Sequence, residues 1–254
     1  MRIVVAADRP VLGSYVADQA AESLRKSLSE NARVNLVVAT GSSQFEVLNA
    51  LVAQSGIDWS RVHGFHLDEY LGIASNHPAS FCGYLRDRFV SRVGLASFHY
   101  LDGTLPPALL KQLADAALSG REIDLMLCGI GENGHLAFND PPANFDANDP
   151  YLIVDLDEAC RRQQVGEGWF DSLESVPKQA ISMSIRQIMR AKKILCTAPD
   201  RRKAEAVKNT VEGTVSTSVP ASILQTHPDT ILALDAGSSS LLSPETLQSC
   251  TTIR

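Results

Sequence analysis

The feature that most constrains the fold is a recurring short run of aliphatic and β-branched residues. Such runs occupy positions 34–38, 62–67, 123–128, 194–196 and 231–234, and the opening MRIVVAADRP reads as one more. Mostly apolar runs of this length suit strands buried on both faces, as in a parallel sheet. Helical patterns fill the intervals. Leu12, Val16, Ala20, Leu24 and Leu28 fall four apart on one face, Phe45, Leu48, Leu51 and Val52 mark a second helix, and positions 81–90, 107–118 and 201–211 carry further candidates. Strand and helix alternating from end to end predicts an α/β protein: a single domain over 1–254 built on one open, doubly wound, mainly parallel sheet with helices on both faces, Rossmann-like in architecture.

Composition narrows the function. The net charge of -6, with Lys and Arg scattered, lacks the basic footprint of a nucleic-acid binder. The first apolar run stops at Asp8 and Pro10, short of a signal core or membrane span, so no membrane partner is expected. Five cysteines, odd in number and without a C-x-x-C pair, suggest free thiols in a reducing cytoplasm and no zinc site.

In an open α/β sheet, ligands bind beyond the C-terminal strand ends, so the polar residues after each run carry the interest. Thr40-Gly41-Ser42-Ser43 follows one run and precedes a helix. Small residues and hydroxyls there suit an anion, although Ser is also an ordinary helix cap. Asp68 and Glu69 close the run at 62–67. Adjacent carboxylates in that place fit a general base or metal ligands, and equally fit solvated loop acids. His63 and His66 read as packing or edge histidines.

The stretch LCGIGENGHLAFNDPP contains G-x-G-x-x-G, with Asp155 at the distance a dinucleotide site asks of its acid. That site also needs a crossover helix after the glycines, and Pro141, Pro142 and Pro150 rule one out. What remains is a tight turn that holds His135 at a strand end beside Asn133, Asn139 and Asp140, where an acid can fix the tautomer of a proton-exchanging imidazole.

Taken together, ATGSS, LDEYLGI followed by NHPASF, and GIGENGHLAFNDPP resemble the glucosamine-6-phosphate deaminase family, within the group that includes 6-phosphogluconolactonases. The resemblance runs nearly end to end, through VPKQAISMSI and RRKAEAVKNTVEG, and the A-F-N-D-P run favours the deaminase side. It implies that Asp68 is the base moving a proton between C2 and C1 of the open sugar, and that His135 helps to open the ring. It implies that Asp140 and Asn133 support that histidine. Thr40, Gly41, Ser42, Ser43 and Lys203 would bind the phosphate, with no cofactor and no metal.

Two positions depart from the family pattern. Asp140 stands where Glu is usual, one methylene shorter, and Asn133 stands where Asp is usual, removing a negative charge beside the histidine. The family's phosphate-binding arginine has no ungapped counterpart, and Arg162, with Arg161, is the nearest candidate. The region 141–175 is expected to form a lid, its 158–170 part being the least family-like. The implied activity converts an amino-sugar 6-phosphate to a ketose 6-phosphate and ammonia. Alternatives are a lactonase or another sugar-phosphate isomerase, and then a sugar-phosphate-binding protein without turnover. The expected partner is a small sugar phosphate, and symmetric self-association is a general prior for enzymes of this size.

Overall fold

Eight parallel strands form the central sheet of the computed structural model, which describes residues 1–254. In chain order the strands are β1 (Arg2–Ala6), β2 (Val34–Val38), β3 (Val62–His66), β4 (Asp68–Tyr70), β5 (Ser97–His99), β6 (Leu125–Cys128), β7 (Tyr151–Asp155), β8 (Gln179–Met183), β9 (Lys193–Ala198), β10 (Thr230–Asp235) and β11 (Thr251–Ile253). The large sheet has the order β11-β1-β10-β9-β6-β2-β3-β5. The main helices are α1 (Arg9–Glu30), α2 (Phe45–Val52), α3 (Phe81–Arg88), α4 (Pro107–Leu118), α5 (Glu158–Gly166), α6 (Ile185–Ile188), α7 (Ala204–Glu212) and α8 (Pro244–Ser249). No helix is long and apolar enough to cross a membrane.

Alternation along the strands divides the core into two layers. Val34, Leu36 and Val38 of β2 and Leu125 and Leu127 of β6 face α1 and α2. Val37, Met126 and Cys128 point the other way, into a core shared with α4, α6 and α7. A sheet buried on both faces favours apolar residues on both sides of each strand, which is why these runs do not show a regular alternation in polarity. Helix α1 presents Leu12, Val16, Ala20, Leu24 and Leu28 to its layer and starts at Asp8, whose carboxylate accepts the Val11 N–H at 2.9 Å.

The chain steps from β2 through β3 to β5 at one edge, then from β6 through β9 to β10 on the other side. The ends of β2 and β6, which pair as Leu36 with Leu125 and Val37 with Met126, therefore lie where the winding reverses. Loops leaving the two strands diverge there and open a crevice.

The sequence pattern predicts one sheet, and the structure adds a second, three-stranded and antiparallel, in the order β4-β8-β7. Within the stretch 141–175, residues 151–155 are strand β7, held to β8 along five paired positions. The part lying over the crevice is α5 with the turn after it. Beneath it, Tyr70, Phe81, Phe138 and Phe170 form a small aromatic core.

Candidate active site

A cleft of about 590 Å³ opens at the winding reversal, lined by the ends of β2, β3 and β6 and by residues beyond β9. Thr40, Gly41, Ser42 and Ser43 form one wall, followed by a single 3-10 turn that runs into α2. Gly41 has φ of +91°, a left-handed conformation that favours glycine. Gln44 fastens this loop to the neighbouring strand end, donating to Cys128 O at 3.1 Å and to Ser43 Oγ at 3.1 Å.

Asp68 and Glu69 are adjacent in sequence and opposite in role, because successive side chains of a strand point to opposite faces. Asp68 lines the cleft and is 6% exposed. Burial, and then the Glu69 charge, push its carboxyl up to about 8, with neither a hydrogen bond nor a cation to offset them. Glu69 turns into the protein and accepts from the N–H groups of Tyr70, Phe81 and Cys82 and from Ser80 Oγ, at 2.7–3.2 Å. It thereby caps α3 and pins the NHPASF segment under β4; burial raises its carboxyl to about 7 despite these donors. Glu69→Ala would leave those donors unsatisfied and is expected to lower the free energy of unfolding by about 2–4 kcal/mol. Urea denaturation measures it, and a loss under about 1 kcal/mol would show that Glu69 is not the anchor.

Each glycine of the G-x-G-x-x-G run has a local reason that owes nothing to nucleotide binding. A Cβ on Gly131 would sit 2.3 Å from the His135 ring, so the imidazole can lie against the backbone only because none is there. Gly134 has φ of +85°. A Cβ on Gly129 would meet Ser43 Oγ at 2.9 Å, where the two loops cross. The segment after His135 contains no helix, as its prolines require. Phe138 N–H donates to Ser182 Oγ, and the Asn139 amide donates to Leu136 O, Ser182 Oγ and Met183 O, which locks the A-F-N run onto β8.

His135 is 8% exposed, and its Nδ1 lies 3.0 Å from Asp140 Oδ1, close enough for an ion pair but off the line of a well-directed hydrogen bond. Burial by itself would raise the Asp140 carboxyl. Contacts with His135, Asn133 Nδ2 at 3.0 Å and Asp157 N at 3.1 Å outweigh it and hold the group below the usual carboxylate range. The shorter acid therefore still reaches the ring.

Lys203, in the turn between β9 and α7, also lines the cleft. Burial lowers its ammonium pKa, and Glu167, with Oε1 3.8 Å from Nζ, works against that shift. Glu167 comes from the turn after α5 and is itself held by Gln163 Nε2 at 2.8 Å and Trp169 Nε1 at 3.2 Å. Sequence reading missed Glu167, Gln163 and Gln164, all of which line the cleft. Their only available signal was the unusual stretch 158–170 itself.

Arg162 is corrected. Its side chain is 68% exposed, pairs with Glu158 one helical turn back, and does not line the cleft. On α5 the inward positions fall to Cys160 and Gln164, which leaves Arg162 facing outward. Arg161 is spent on the carbonyls of Leu173 and Val176. His66 is wholly buried, and burial lowers its imidazole to about 3, so it is a neutral core residue.

Two buried clusters have the composition of metal ligands, His66-Glu69-Cys82 and His135-Asp140-Cys160, with ligand atoms within 4.8 Å of one another. In the first, Glu69 is occupied by its four donors, and His66 Nδ1 accepts from Leu101 N. In the second, both Asp140 oxygens already have partners. In both clusters the carboxylate that would anchor a cation is already committed to donors within the protein.

Fold and cleft together define an α/β protein with an acid, an imidazole and a lysine gathered at the strand termini. Residues 7–232 match the family of glucosamine-6-phosphate isomerases and 6-phosphogluconolactonases. The glucosamine-6-phosphate deaminase of Oenococcus oeni is 38% identical over 221 residues, 86% of this chain and 91% of that one. A solved monomeric glucosamine-6-phosphate deaminase superposes with a TM-score of 0.86 at 28% identity, covering 95% of this chain and all of the other. The 6-phosphogluconolactonase of Trypanosoma brucei, at 16% identity and a TM-score of 0.78 over 95% of this chain and 98% of its own, shares the fold. The chain belongs to the glucosamine-6-phosphate isomerase/6-phosphogluconolactonase family.

Proposed function

We propose that this chain is a glucosamine-6-phosphate deaminase, converting glucosamine 6-phosphate and water to fructose 6-phosphate and ammonia. The observation that carries this reading is Asp68, a buried carboxyl free of hydrogen bonds that faces the same cleft as His135 and Lys203. A lactonase needs only an activated water. A carboxyl kept unpaired in the same cleft as the imidazole suits proton abstraction next to a carbonyl, where the base must be placed and not spent on structure.

The phosphate lies against Thr40, Gly41, Ser42, Ser43 and Lys203, so binding energy from the non-reacting end orients the sugar. His135, backed by Asp140 and Asn133, transfers the proton that opens the pyranose ring. Asp68 takes the C2 proton to give an enolamine and returns it at C1. Water adds to the resulting ketimine at C2, and the C–N bond breaks to release ammonia. All five cysteines are free thiols, four of them buried, which suits a reducing cytoplasm.

The purified protein is expected to release ammonia and fructose 6-phosphate in equal amounts from glucosamine 6-phosphate, and to leave 6-phosphogluconolactone unhydrolysed beyond the spontaneous rate. Lactone hydrolysis without ammonia release would overturn this assignment.

A further inference from the structure

Asp140 is held from two directions. Its Oδ1 meets His135 Nδ1 and Asn133 Nδ2, both at 3.0 Å, while Oδ2 accepts the backbone N–H of Asp157 at 3.1 Å. Asp157 is the residue that caps α5, its Oδ1 accepting from Cys160 N at 2.6 Å. The other Asp157 oxygen lies 3.3 Å from Asn133 Nδ2, so one amide group bridges two carboxylates. The Asn133 Oδ1 in turn accepts from His135 N at 3.1 Å. Helix α5 also carries Gln163 and Gln164 into the cleft. The element over the sugar and the acid behind the imidazole are therefore joined through Asp157.

We propose that Asp157 is a positioning residue for His135: the cap of α5 sets Asp140 against the imidazole, and Asn133 is an amide because it must donate to both carboxylates. An Asp at position 133 would bring three acid groups together with no hydrogen between them, a like-charge arrangement that pushes them apart. Seating α5 and orienting the imidazole are thus one event.

This proposal rests on the deaminase reading for its kinetic test, which uses Asn133→Asp and Asp157→Asn, with melting temperatures recorded for each. Asn caps a helix about as well as Asp, so Asp157→Asn preserves α5 while replacing the charged acceptor opposite the Asn133 amide with a second amide. Each variant is expected to lose about tenfold in kcat with little change in KM. A parent-like Asp157→Asn overturns the proposal and leaves Asp157 a helix cap. Nitrogen-15 signals of the His135 ring give a substrate-free readout on the same three proteins. They should move in both variants; failure to move overturns the coupling even if the parent has some other activity, whereas absence of ammonia release from the parent bears only on the assigned reaction.

Discussion

Asp68→Asn is expected to give a protein that unfolds at a higher temperature and turns over about 10³-fold more slowly. The rate falls because the amide has no proton-accepting oxygen of comparable basicity at the one place where the C2 proton is within reach. The stability rises because the native site holds the carboxyl near 8 while the unfolded chain releases that proton near 3.8. Between those values the unfolded state binds fewer protons than the native state, so raising the pH favours unfolding of the parent. The two proteins should therefore melt alike below about pH 4, diverge as the pH climbs towards 8, and keep a constant gap above it. The gap near pH 7 is on the order of 4 kcal/mol as an upper figure. Melting curves of both proteins from pH 4 to 9 measure it. Overlapping curves at pH 8 would mean that Asp68 is not held in a desolvated site, and the argument for its role as base would go with them.

The alternation of buried runs with amphipathic helices was enough to give the large sheet, because strands covered on both faces leave an unmistakable apolar signal, as at residues 123–128. The second sheet left no such signal. Strand β4 is three residues, Asp68, Glu69 and Tyr70, two of them acids, and only tertiary pairing with β8 makes it a strand. Ser182 on β8 is fully buried and polar, and its reason lies 43 and 44 residues away in the A-F-N loop. Helix α5 was obscured because its apolar content is low and its buried face includes Gln164, which is satisfied by the Tyr70 hydroxyl at 2.6 Å.

The cleft was legible where its chemistry sits at strand ends. Residues 40–43, Asp68 and His135 follow three runs that the pattern had already marked, and the prolines after Gly134 excluded a crossover helix without any coordinates. The pairing of Asp68 with Glu69 was not legible, since two adjacent acids look equivalent until strand alternation turns one to the cleft and the other to the α3 N-terminus. Arg162 failed for a related reason. The resemblance points to an arginine somewhere in this stretch, but helical phase decides which side it faces, and the sequence pattern of α5 does not reveal a helix.

The anion end of the cleft leads to the second large effect. Lys203→Met is expected to reduce kcat/KM by about 10²-fold, mostly through KM, since losing one partner of a buried charge pair costs about 2–5 kcal/mol. Glu167 makes the effect more specific. Its carboxylate lies 3.8 Å from the Lys203 ammonium, in the region where the phosphate is placed, and both side chains are 7% exposed. A dianionic phosphate arriving there must either displace that carboxylate or bind beside it, and a neighbouring like charge in a desolvated site weakens binding. Glu167→Gln keeps the shape and one of the two acceptors used by Gln163 and Trp169 while removing the charge, so inorganic phosphate should inhibit this variant about fivefold more strongly than the parent. In the double variant Lys203→Met with Glu167→Gln, no charge is left unpaired, which separates lost phosphate binding from damage to the fold. Weaker phosphate inhibition in Glu167→Gln would show that the carboxylate assists the lysine, for instance by keeping it protonated, and does not compete with the ligand. The two outcomes have opposite signs because the same 3.8 Å contact stabilises the ammonium and opposes the anion, and inhibition constants for phosphate decide which influence is larger.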